Sequence, residues 1–73
     1  MSEFQVETPV TGKVWEVLKN NGDSVAANET VLVVESMKME IPVEAPVGGT
    51  IHGIEVAAGD EINEGEVVAV IAS

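Results

Sequence analysis

The chain overlays itself when shifted by 37 positions, and this repeat limits what it can fold into more than any other feature. Residues 8–35 read TPVTGKVWEVLKNNGDSVAANETVLVVE, and residues 45–72 read APVGGTIHGIEVAAGDEINEGEVVAVIA. Pro9 meets Pro46, Val10 meets Val47 and Gly12 meets Gly49. Gly22-Asp23 meets Gly59-Asp60, Glu29 meets Glu66, Val31 meets Val68 and Val33 meets Val70. These are eight identities in 28 ungapped positions, and Val14/Ile51, Val17/Ile54, Val25/Ile62 and Val34/Ile71 are conservative pairs. A fixed internal period marks a duplicated structural unit. The 73 residues therefore read as one domain, 1–73, of two like copies joined by a segment at 36–44.

Each copy reads as strands. Lys13–Leu18 and Thr50–Val56 are β-branched and partly alternating. Asn20-Asn21-Gly22-Asp23 and Ala57-Ala58-Gly59-Asp60 carry turn chemistry. Thr30–Val34 and Val67–Ile71 are unbroken apolar runs. Such runs suit strands buried on both faces, or strands at a sheet edge against a partner. Frequent Gly and Pro signals argue against helix. The expectation is an all-β sandwich or barrel in which two like units cover each other's apolar faces about a pseudo-twofold axis.

Composition narrows the function. The formal charge is −10, so the surface repels phosphate and is unsuited to nucleic acid or anionic membranes. That acidity favours a soluble monomer. No apolar run is long enough to span a bilayer. The start Met1-Ser2-Glu3-Phe4 has no basic n-region or apolar h-region, and cysteine is absent, so the expected location is the cytoplasm. With no cysteine and one histidine, neither a disulfide nor a His/Cys zinc site can staple the fold. A domain this small has a thin core and little room for an enclosed catalytic pocket.

The joint between the copies contains Glu35-Ser36-Met37-Lys38-Met39-Glu40. The duplication makes this a hairpin, with Thr30–Ser36 running in, Met39–Ala45 running out and Met37-Lys38 at the tip. Two-residue hairpin turns favour Asn-Gly or Gly-X, because positive φ is required. Met-Lys supplies neither, and a broken local rule marks a candidate functional site. Read singly, a loop lysine is solvated and a methionine fills gaps.

Together these residues resemble the biotinyl/lipoyl attachment domain family, of the small biotin carboxyl carrier type without an inserted thumb. The resemblance rests on Glu35, Ser36, Met37-Lys38-Met39, the following Ala45-Pro46-Val47-Gly48-Gly49, and the later Gly59-Asp60 and Glu64-Gly65. Lys38 also stands 35 residues before the last residue, a spacing typical of the family. Ser36 replaces the commoner alanine at no cost in space. The resemblance covers essentially the whole chain. It implies a flattened barrel of two four-stranded antiparallel sheets with quasi-twofold symmetry. It also implies that a biotin protein ligase joins biotin to the Lys38 ε-amine, with Met37 and Met39 serving ligase recognition and the base of the arm. The chain would then carry CO₂ from a biotin carboxylase to a carboxyltransferase, whose acceptor is an acyl-CoA or a 2-oxo acid, and would catalyse nothing alone.

A lysine amine is almost wholly protonated at neutral pH and needs a partner to remove its proton, so self-modification is not expected. Two rivals share the expected fold. A lipoyl carrier would usually have Asp-Lys-Ala at the tip, and a dual biotin/lipoyl carrier would accept both groups. An unmodified docking module would have no reason to keep both methionines. Trp15 and His52 occupy equivalent positions in the two copies, and His52 reads as an outer-face strand residue rather than a catalytic one. Glu35 is a candidate partner contact.

Overall fold

Eight strands form, the four inner ones where the sequence is rich in β-branched residues between turn signals. They are β1 (Glu3–Glu7), β2 (Gly12–Val17), β3 (Ser24–Val25), β4 (Thr30–Ser36), β5 (Met39–Glu44), β6 (Gly49–Ile54), β7 (Glu61–Ile62) and β8 (Val67–Ala72). This computed structural model describes residues 2–73, so Met1, the first residue of the expected domain, lies outside the described residues. No helix occurs among the described residues, and hence no helix long and apolar enough to cross a membrane.

The strands make two antiparallel four-stranded sheets, ordered β1-β8-β6-β3 and β5-β4-β2-β7. A shift of 37 residues converts one order into the other. Each sheet mixes strands of both copies, so neither copy can close a core alone. The equivalence also runs wider than 8–35 and 45–72. β1 is the counterpart of β5, which adds the identities Glu3/Glu40, Val6/Val43, Glu7/Glu44 and, at the far end, Ser36/Ser73. Residues 3–36 thus correspond to 40–73, and the joint shrinks to Met37-Lys38-Met39.

The shared residues have physical reasons. Val6/Val43, Val14/Ile51, Val25/Ile62, Val31/Val68 and Val34/Ile71 are all buried in the core between the sheets, each contributing about 1.5–3 kcal/mol relative to exposure. A Cβ on Gly12 would collide with the Glu35 carbonyl, and one on Gly49 with the Ala72 carbonyl. The Asp23 carboxylate accepts from the Asn20 N–H at 2.8 Å, and Asp60 accepts from Ala57 at 2.9 Å. Glu29 accepts from the Ala26 N–H at 2.9 Å, and Glu66 from Asn63 at 3.1 Å. The identities therefore mark core, close approach and turn closure.

The two apolar runs differ from expectation. β4 and β8 are inner strands of their sheets, not edges, and neither is buried along both faces: Val33 and Val70 are only half-buried. The register slips at Val31 in β4 and at Val68 in β8. These β-bulges turn two consecutive residues inward, and Val31-Leu32 and Val68-Ala69 are all fully buried. A second pair of bulges places Trp15 in β2 and His52 in β6, and both side chains are exposed.

Candidate functional site

β4 and β5 pair from Thr30↔Glu44 to Ser36↔Met39, leaving Met37 and Lys38 as a two-residue turn. Both take the left-handed conformation, with φ of 52° at Met37 and 66° at Lys38. This is the positive-φ turn that matches the twist of a hairpin, made here without glycine or asparagine. Left-handed backbone costs an ordinary residue about 1–2 kcal/mol. Neither side chain recovers that cost by packing: Met37 is 93% exposed and Lys38 is also exposed. Met39, at the first position of β5, is 64% exposed. Hairpin packing therefore does not explain the methionines; they are apolar flanks held in solvent.

The strand registers set a charged row beneath the tip. Glu61 of β7 faces Lys13 of β2, Lys13 faces Glu35 of β4, and Glu35 faces Glu40 of β5. All four are exposed on the outer face. Among the described residues the ion pairs are Lys19–Glu29 at 2.6 Å and His52–Glu3 at 3.4 Å, so neither Lys38 nor Lys13 is engaged in one. The Lys19 hydrogen bond, then the Ala26 N–H, holds the Glu29 carboxyl below its usual range; this pair lies well away from the tip. Among the described residues no cluster could hold a metal.

Sequence reasoning singled out Met37, Lys38, Met39 and Glu35, and the hairpin brings them together. It places His52 in the other sheet, beside Glu3. Lys13 was missed as part of the site's surroundings. The signal for it was the comparison of the copies, in which Lys13 stands against Thr50 and Glu35 against Ala72.

The duplicated β frame thus holds Lys38 exposed on a strained tip, between two exposed methionines. Residues 4–71 match the biotinyl/lipoyl family described as Biotin-requiring enzyme. The chain is 39% identical over 66 residues to the Biotinylated protein TB7.3 homolog of Mycobacterium leprae, covering 90% of this chain and 93% of that one. It is 38% identical over 64 residues to the Biotin carboxyl carrier protein of Streptococcus mutans, covering 88% of this chain and 49% of that protein. Among solved structures, the urea carboxylase of Kluyveromyces lactis matches with a TM-score of 0.93 and 32% identity, over 99% of this chain and 6% of that one. The chain belongs to the biotinyl/lipoyl attachment domain family.

Proposed function

We propose that this chain is a biotin carboxyl carrier whose Lys38 is biotinylated by a biotin protein ligase, and that it serves a biotin carboxylase and a carboxyltransferase as a monomeric carrier. The observation that carries this reading is the tip itself. Lys38 projects on a left-handed turn between two exposed methionines, an arrangement that costs stability and contributes nothing to the core. The similarity to proteins named as biotinylated or as biotin carboxyl carriers supports the cofactor.

The chain's residues have simple tasks. Lys38 offers an amine that a ligase can reach from outside the sheet, and the ligase must take its proton. Met37 and Met39 give that ligase two adaptable apolar contacts. Bound biotin supplies a ureido nitrogen that accepts and yields a carboxyl group. The bulged, interlocked sheets keep the tip from folding into the core, and tethering raises the effective concentration of the group at each partner site. Amide formation removes the Lys38 charge, leaving the chain one unit more negative than −10.

Intact mass after coexpression with biotin ligase and excess biotin tests the reading. The expected result is one biotin per chain, abolished in Lys38→Arg. An unchanged mass refutes the carrier assignment, and a mass shift that survives Lys38→Arg moves the site. Lipoate incorporation in place of biotin under the matching ligase would favour the lipoyl carrier instead.

A further inference from the structure

The two sheets are near-copies, so each serves as a control for the other. Residues kept in both explain the fold; residues that differ on equivalent exposed positions need another reason. Three such differences cluster on the outer face below the tip. Trp15 stands where the other sheet has His52, Lys13 where it has Thr50, and Glu35 where it has Ala72.

These residues line a hollow of about 220 Å³ with Val14 and Gly59. Trp15 is 53% exposed, although it is the largest side chain in the molecule. Its bulge in β2 sets the indole on the outer face, beside the Gly59-Asp60 turn. That turn is fixed to β2 by the Gly59 N–H to the Val14 carbonyl and the Val14 N–H to the Asp60 carbonyl, both at 2.8 Å. A second, more open hollow of about 400 Å³ reaches from Met37 past Ser36 to Lys13 and Glu35. Lys13 and Glu35 line both hollows and so stand between the base of the tip and the indole.

We propose that the hollow lined by Lys13, Trp15 and Glu35 is a resting site for the biotin carried on Lys38, with the bicyclic ring against Trp15 and with Lys13 and Glu35 beside it as hydrogen-bond partners. The proposal rests on the carrier reading above. The chemistry is complementary. A ureido group has a carbonyl that accepts and two N–H groups that donate; Lys13 can only donate and an ionised Glu35 only accepts. The apolar ring edge suits an indole face. The distance also fits. By strand spacings Trp15 stands roughly 13 Å from Lys38, and an extended lysine-biotin arm reaches roughly 14 Å from Cα to the ring. Lys13 and Trp15 are thus positioning residues for the unloaded arm. Carboxylation adds a negative charge beside Glu35, so the loaded arm is released from this site and the unloaded arm is retained.

Trp15 is the single tryptophan in the chain, so its emission reports the site directly. The test compares the unmodified chain with one shown by intact mass to be fully biotinylated. Biotinylation is expected to shift Trp15 emission to the blue, to lower its quenching by acrylamide, and to give nuclear Overhauser contacts between biotin ring protons and the indole. Lys13→Gln, biotinylated to the same mass, is expected to lose most of the shift with its thermal unfolding unchanged. Unchanged quenching together with no indole contacts in the fully biotinylated chain overturns the resting site and leaves the carrier reading intact. A chain that takes up no biotin at all overturns both.

Discussion

Replacing Met37-Lys38 by Asn-Gly is expected to stabilise the domain. Both native residues hold positive φ, at about 1–2 kcal/mol each. Asn and Gly adopt that backbone at little steric cost, although glycine gives back about 0.5–1 kcal/mol in unfolded-state entropy. Met37 is 93% exposed and Lys38 is exposed, so their removal sacrifices almost no buried area. The net gain is about 2 kcal/mol, which raises the melting temperature of a domain this size by about 8–16 °C. Far-UV circular dichroism during heating, with urea titration of Trp15 emission, measures it. Met37→Asn alone keeps the amine and is expected to recover about half the gain. A melting temperature that stays level or falls in both variants, with the β spectrum intact, would refute the claim that the tip is strained. In that case some contact of Met37 or Lys38 would have to be stabilising the turn.

The remaining predictions concern the frame. Gly12→Ala and Gly49→Ala each force a Cβ against a backbone carbonyl and are each expected to cost about 1–3 kcal/mol in urea unfolding; a neutral result at either position would contradict the close approach. Glu29→Gln tests a carboxyl that its lysine partner holds below the ordinary range. Its folded pKa lies below the ordinary 4.5, so its contribution is full above that value and is lost as pH falls through the depressed one. The variant is expected to lose stability less steeply in that acid window, by a small margin because the pair is exposed. Identical acid profiles would show that the Lys19–Glu29 contact does not persist in solution.

What could be read from the sequence, and what could not, follows from how each residue acts. Gly22-Asp23, Glu29 and their partners were legible because turn closure needs particular side chains at particular places. β2, β4, β6 and β8 were legible because long β-branched runs have few alternatives. β3 and β7 have two residues each, too few for any alternation to show. β1 escaped because Phe4 and Gln5 have no like residues at Ile41 and Pro42, so the repeat read as starting only at residue 8. The faces of β4 and β8 were misread because a bulge breaks the period of two. The Met-Lys-Met motif was legible as a specific pattern, yet the row Glu61–Lys13–Glu35–Glu40 was not. That row depends on cross-strand register, which the slip at Trp15 helps to set.

Duplication also sets the tip beside a counterpart in the other sheet. Two copies of a unit have one joint between them. The place equivalent to that joint in the other sheet is filled by the paired residues Ser2 and Ser73, whose N–H and carbonyl groups exchange hydrogen bonds at 3.1 and 2.9 Å. Ser73 stands where Ser36 stands at the tip, and Ser2 where Met39 stands. Met37 and Lys38 lie outside the corresponding segments 3–36 and 40–73, and their positive φ is a cost that no burial of their own side chains offsets.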